Sequence, residues 1–350
     1  VLSVRAMVLT GVLLAAIAVL SVVVLLWQLG SGTPGDATRL DVIRTAASIV
    51  LGTGGAAALV LAARRQRSTE LDLVQRERVA EANERDAEER RVTDLYTHAV
   101  DQLGSDKAPV RHGGLHALER LAQNYPAHRQ TIVNVLCAYL RMPFDDDEQE
   151  MQVRQTAQGI LTRHLRYQYH DVDQDEPLAS FWPDIDLRLS KARLVDWKLT
   201  GGRVRSANFE KCVFSGDTRF DKTTFTKTAV FRFVRFEDPV SFDRARFRVV
   251  APFHHAEFVD HVGFAGVTFG GAAGFDRVTF AGAVDFDGAE FAERPIFDQS
   301  QARMDTTFAK SRRWPTGYDV AESVTVDEDQ LDGRPGDWAY VRRLPSGAEG

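Results

Sequence analysis

The spacing of apolar residues changes several times along the chain, and each change marks a different kind of structure. Val8 to Trp27 is an unbroken run of 20 uncharged residues. At about 1.5 Å per residue it makes about 30 Å of helix, the thickness of a bilayer core. Ala16-Ile17-Ala18 has the form of a leader-peptide cleavage site. The run continues to Trp27, however, beyond the roughly 7–15 apolar residues of a leader. A second uncharged run of 19 residues extends from Thr45 to Ala63. The breaker cluster Gly30-Ser31-Gly32-Thr33-Pro34-Gly35-Asp36 between them suits a short loop. Residues 1–63 are expected to form a transmembrane α-hairpin. Gly52, Gly54, Gly55 and Ala56 allow its second span to pack closely, on the first span or on another copy of the chain. Arg64, Arg65 and Arg67 follow that span directly, so both termini are expected in the cytoplasm, in a multi-pass cell-membrane protein.

Residues 64–94 are rich in charge and contain neither Gly nor Pro. Asp72/Arg76, Glu81/Arg85 and Asp86/Arg90 are acid-first pairs four residues apart, which support an exposed helix. Val79, Ala82, Tyr96, Val100 and Leu103 fit a heptad seam, but Asp86, Glu89 and Thr93 interrupt it. A solvated juxtamembrane spacer is the reading, with a coiled coil as the alternative. Residues 95–168 change to amphipathic helical spacing. Leu115, Leu118 and Leu121 mark one face, and Ile132, Val133, Leu136 and Leu140 a more buried helix. Asp106 and Pro109 suit a helix start, and Tyr125-Pro126 a break. Gly113-Gly114-Leu115-His116 weakly resembles a HEAT-type helical hairpin. An acidic loop is expected at 143–150, a further helix at 151–168 and a polar linker over 169–184.

From 209 to 297 the phenylalanines, Phe233 apart, alternate steps of five and six without a miss: Phe209, Phe214, Phe220, Phe225, Phe231 and onward to Phe297. Leu189, Leu194, Leu199 and Val204 precede them in steps of five. An α-helix turns about 140° beyond a full turn in five residues and scatters such positions. A strand flips its face at every odd step. A chain that turns a corner at every step satisfies the spacing, with one large residue inward per side. Four sides give coils of 20 to 22 residues, a solenoid in which each coil buries its core against its neighbours. Two residues before the ring stand small residues such as Ala207, Cys212, Ala229, Val234, Ala251, Ala256 and Val262, which suit the remaining interior space.

Ala207-Asn208-Phe209-Glu210-Lys211 matches the unit Ala-(Asp/Asn)-Leu/Phe-x-x, and Ala192-Arg193-Leu194-Val195-Asp196 matches it at both interior positions. The segment resembles the pentapeptide-repeat family, in a form with alternating five- and six-residue steps. The resemblance implies a right-handed quadrilateral β-helix over residues 185–305, followed by a polar, partly disordered tail at 306–350. Residues 93–142 also resemble the helical block that precedes such repeats in membrane-anchored actinobacterial members.

Composition narrows the chemistry. Net charge is −6, which gives no reason to expect a nucleic-acid binder. Two separated cysteines, Cys137 and Cys212, exclude a disulfide framework. Asp171, Asp173 and Asp175 begin like a calcium loop, but Glu176 and Trp182 stand where Gly and Glu are required. His112, His116 and Glu119 share a helix face but lack the internal glutamate of zinc proteases, and His254-His255 lie on alternating faces of one side. Neither is expected to bind metal. No phosphate loop or nucleophile elbow occurs, so no enzyme activity and no cofactor is expected.

Charge is unevenly spread over the repeats. Residues 188–248 hold 15 Lys/Arg against 7 Asp/Glu, whereas 251–298 hold 2 against 8. The candidate interaction surface is Arg203, Arg205, Lys211, Arg219, Lys222, Arg232, Arg235, Arg244 and Arg246, facing a protein partner or an anionic lipid surface. The expected function is a membrane-anchored interaction or scaffold module. A DNA-mimicking topoisomerase inhibitor, as in some soluble family members, requires an acidic stripe along the whole solenoid, and the basic half argues against it.

Overall fold

The structure is a computed structural model that describes residues 13, 16–24, 27, 36–145, 147–167, 177–307, 312–325 and 336–345. It divides into two units, Val1–Arg90 and Arg91–Gly350. Helix α1 (Asp36–Leu103) has 68 residues, so the second apolar run and the charged spacer are one unbroken helix. Residues 64–91 of it are exposed on all sides, with Asp72–Arg76 at 2.9 Å and Glu81–Arg85 at 3.7 Å. Val79 is 48% exposed. Among the described residues, no helix is long and apolar enough to cross a membrane. Nine of the 20 residues of Val8–Trp27 lie outside those residues. So do Asp171, Asp173 and Asp175.

The second unit opens with a helical block. The end of α1 packs with α2 (Ala108–Asn124), α3 (Arg129–Arg141) and α4 (Glu148–Leu165). Val92, Ala99, Leu103, Leu115, Leu118, Ile132, Leu136, Val153, Ile160 and Leu161 form the core. Gly114 allows the closest approach. A Cβ there meets Ala99 O at 2.7 Å and Leu103 N at 2.8 Å. Two details differ from the sequence reading. α2 starts after Lys107 with no side-chain cap, so Asp106 does not cap it. α4 starts at Glu148, inside the expected acidic loop, because Asp147 accepts from Glu150 N at 3.0 Å and caps it. Arg154 of α4, 3% exposed, donates to the carbonyls of Leu140 (2.9 Å) and Met142. It thereby satisfies carbonyls that the end of α3 leaves unpaired.

The remainder is a parallel β-solenoid with four sides. Side 1 carries Phe209, Phe231, Phe253, Phe275 and Phe297. Side 2 carries Phe214, Phe236, Phe258 and Phe280, side 3 Phe220, Phe242, Phe264 and Phe286, and side 4 Phe225, Phe247, Phe269 and Phe291. Successive rings on a side lie 4.7–5.4 Å apart, set by the spacing of hydrogen-bonded strands. Rings of the opposite sides 1 and 3 meet edge to face, as Phe231 and Phe242 do at 5.4 Å, and so do rings of adjacent sides, as Phe236 and Phe242 do at 5.9 Å. The small interior residues two positions upstream are buried alongside.

Coil length follows the size of the core residue. The leucine coil spans 20 residues, pairing Leu187 with Ala207 and Leu194 with Phe214. The phenylalanine coils span 22, pairing Phe214 with Phe236 and Phe225 with Phe247. The extra residues enter at the corners after sides 2 and 4, which widen to fit larger rings. The five-residue corners stay tight through a left-handed residue two places after the ring: Lys211, Phe233, His255, Arg277 and Gln299 after side 1, and Lys222 and Arg244 after side 3. Gly266 and Gly288 take that place in later coils.

Both ends of the solenoid are closed. Gln130 of α3 donates to Asp186 O (3.0 Å) and accepts from Asp186 N (2.8 Å). Gln158 of α4 does the same for Val195, at 2.8 and 3.3 Å. Each amide thus stands where a preceding strand would be. At the other end, strands Tyr318–Thr325 and Trp338–Arg343 pair with each other, and the second pairs antiparallel with Gln301–Arg303. The expected polar tail is therefore partly ordered. Trp314 covers the rings of Phe280, Phe286 and Phe297, which supplies the apolar contact that orders it.

Candidate interaction surface

Each side of the solenoid shows the solvent two residues per coil, one before and one after the buried ring. The corners show the left-handed residue. These positions hold the nine basic candidates, and the structure spreads them over the sides. Arg219 lies on side 3, 2.7 Å from Asp217 and 3.9 Å from Asp221. Arg235 lies on side 2 and pairs with Glu257 and, at 3.4 Å, Glu237. Arg205 donates to Asp186 through Nε at 2.8 Å and through a second nitrogen, which holds that carboxyl below the ordinary range. Lys211 is the left-handed residue of the corner after side 1 and sits 5.6 Å above the Phe233 ring, whereas Arg232 follows the Phe231 ring on side 1 itself. The nine therefore do not share one face. Successive residues of a coil point to different sides, and several of these charges are already neutralised.

Four of the nine do converge. Arg203 and Arg246 occupy the same register position on side 4, with Thr224 between them. Lys222 and Arg244 lead into that side from its corner. Arg248 and Lys227, which the linear reading left out, complete the strip. Arg244, Arg246, Arg248 and Lys227 are exposed, and among the described residues they pair with no carboxylate. Arg203 lies over the Tyr167 ring at 4.8 Å. Residues 201–206, 222–228 and 244–250 contain no Asp or Glu. The intervening side chains, Thr224 and Thr226, are short, so the strip is flat as well as cationic.

The four-sided stack of rings, in coils of 22 residues with small residues beside each ring, is the arrangement that decides the family. A family model for pentapeptide repeats (9 copies) matches residues 204–246 and 234–279. This solenoid is a pentapeptide-repeat domain. No curated protein and no solved structure matches the chain. The interior of the pentapeptide-repeat domain is occupied by side chains, so ligands meet its outer surface. Among the described residues, no group of three or more His, Cys, Asp or Glu side chains is placed to hold a metal. His254 instead pairs with Asp276 at 2.5 Å, while His255 stacks on Phe233 at 4.7 Å. Cys137 and Cys212 are free and buried, and burial pushes both thiols up, to about 11 and about 12.

A second polar cluster joins the helical block to the segment before the repeats. Glu119 accepts from Arg163 at 2.6 Å and faces His164 Nε2 at 2.8 Å and His116 Nδ1 at 3.1 Å. His164 Nδ1 lies 2.6 Å from Ser180 O, and the ring stacks on Trp182 at 3.9 Å. Burial raises the Glu119 carboxyl, but the hydrogen bonds from His164 and His116 and the Arg163 charge outweigh it and hold it below its ordinary value. The cluster absorbs the sequence pair His116 and Glu119 and has the character of a structural clasp.

Proposed function

We propose that the protein is a membrane-tethered interaction module whose basic strip on side 4 holds an acidic partner protein. The observation that carries the reading is the strip itself: Arg244, Arg246, Arg248 and Lys227 lie exposed on two adjacent coils, and among the described residues they pair with no carboxylate. Exposed charges paired within a chain add little to binding, whereas an unpaired field of one sign steers an opposite surface toward it. The pentapeptide-repeat solenoid supplies a rigid frame and no convergent catalytic groups, which supports a binding role over an enzymatic one. The tether rests on the apolar runs Val8–Trp27 and Thr45–Ala63, and the cytoplasmic orientation on Arg64, Arg65 and Arg67. A topoisomerase-binding DNA mimic requires negative charge where this strip is positive.

The test uses the full chain in its native membrane, with a photo-crosslinking residue at Thr224 in the strip or at Ser241 on side 3. Crosslinks are expected from Thr224, and the triple change Arg244→Glu, Arg246→Glu, Arg248→Glu is expected to abolish them. Raising salt is expected to weaken them, since screening acts within about 8–10 Å near physiological ionic strength. Equal capture from both positions, insensitive to the reversals, refutes the assignment. Capture of anionic lipid in place of protein reassigns the strip to the membrane surface. A reporter fused after Gly350 that is active only outside the cell overturns the orientation.

A further inference from the structure

At the closed C-terminal end, the corner after the last ring of side 4 meets the terminal strand pair around a cavity of about 670 Å³. That volume lies within the range of small-ligand sites, about 300–1,000 Å³. Pro295, Phe297 and Val341 are buried in its floor, and Ile296 adds an apolar edge that is 45% exposed. Tyr318 and Tyr340, both half-buried, form its aromatic walls. Arg294, Arg342 and Arg343 line it together with Asp298 and Gln299.

The charges do not cancel. Arg294, Arg342 and Arg343 make no ion pair among the described residues. Three guanidiniums against the single carboxylate of Asp298 leave a formal charge of +2 at the cavity. Two of the cations line the cavity from different elements. Arg343 stands directly across the strand pair from Tyr318, and Arg294 approaches from the corner. The Tyr318 hydroxyl is fixed by donating to Pro295 O at 2.7 Å. Burial raises that hydroxyl, and the fields of Arg294 and Arg343 oppose the rise. Guanidinium groups match tetrahedral oxyanions through paired donors. The tyrosine rings and Ile296 suit a flat apolar body beside the anion.

We infer that this cavity binds a small phosphate monoester carrying an aromatic ring, the phosphate dianion lying against Arg294 and Arg343 and the ring against Tyr318 and Tyr340. The site is separate from the side 4 strip. It does not depend on the proposed function, because it is built from the terminal strand pair and the last corner.

The test is calorimetric titration of the full-length protein in detergent with phenyl phosphate, inorganic phosphate and phenol. Phenyl phosphate is expected to bind, inorganic phosphate at least tenfold more weakly, and phenol not measurably. Arg294→Gln and Arg343→Gln are each expected to weaken phenyl phosphate at least tenfold, while Arg246→Gln on side 4 leaves it unchanged. Arg294 lies outside the strands, so its variant reports on binding even if Arg343→Gln disturbs the strand pair, and a melting curve checks both. No phenyl phosphate binding at millimolar concentration overturns the inference. So does equal weakening by Arg246→Gln, which marks diffuse attraction, and so does equal affinity for phenyl phosphate and inorganic phosphate.

Discussion

Replacing Gln158 tests whether the solenoid needs its substitute strand. The side chain is 5% exposed and makes two hydrogen bonds to Val195, one as donor and one as acceptor. Gln158→Met keeps nearly the same length and removes both. A buried backbone group left unpaired costs about 1–3 kcal/mol. Val195 is half-buried, so water can reach part of its backbone. The expected loss is about 2 kcal/mol in urea unfolding of the full-length protein. Gln158→Glu separates the two bonds. A carboxylate still accepts from Val195 N but turns an oxygen toward Val195 O, where the amide donates at 2.8 Å. Its loss is expected to exceed that of Gln158→Met at neutral pH and to shrink in acid, where the protonated carboxyl donates again. Hydrogen exchange at the Val195 amide is expected to accelerate in Gln158→Met. Unchanged stability together with unchanged Val195 protection would falsify the idea that this amide completes the first coil.

Three further outcomes are expected. Phe253 is fully buried between Phe231 at 4.8 Å and Phe275 at 5.1 Å, so Phe253→Ala should cost about 3–5 kcal/mol, whereas Phe233→Ala, at a ring 46% exposed, should cost under about 1; similar losses for the two in thermal melts would contradict the register of the rings. Glu119 has a lowered folded value, so its stabilisation is present above the ordinary carboxylate range and is lost as pH falls through the folded value; Glu119→Gln should flatten that part of the acid-unfolding profile, and an identical profile would remove the clasp. Gly114→Ala forces a Cβ to 2.7 Å from Ala99 O, a backbone atom that cannot swing away, so a loss of about 1–3 kcal/mol is expected, and a neutral variant would show that α1 and α2 separate freely.

The ring positions were legible because only a chain turning regular corners buries a large residue every five or six places. The shift from Leu199 and Val204 to Phe220 and Phe225 even announced the change in coil size. The strip on side 4 was not read, because charges were counted along the chain. Arg203, Thr224 and Arg246 share a register position, and folding the sequence at its 21- and 22-residue steps would have exposed the strip and added Arg248 and Lys227. Gln130, Gln158 and His164 left no such trace. Each is a polar residue in an amphipathic helix that faces inward because its partners lie far along the chain, as Val195 does 37 residues beyond Gln158. The terminal strand Trp338–Arg343 alternates weakly, and its role depends on Gln301–Arg303 as a pairing edge.

The constant register of the phenylalanine coils limits how the chain can change in length. Each ring sits above the residue 22 positions earlier, as Phe247 does on Phe225 and Phe269 on Phe247. A duplication of 22 residues within these coils inserts one complete layer and lengthens the rod by about 4.8 Å, with every downstream ring still facing inward. An insertion of one residue that cannot loop out at a corner instead rotates all later positions and brings charged residues to the axis. The domain therefore grows and shrinks by whole layers, so related chains should differ in reach by discrete steps while keeping the same width and the same two end caps.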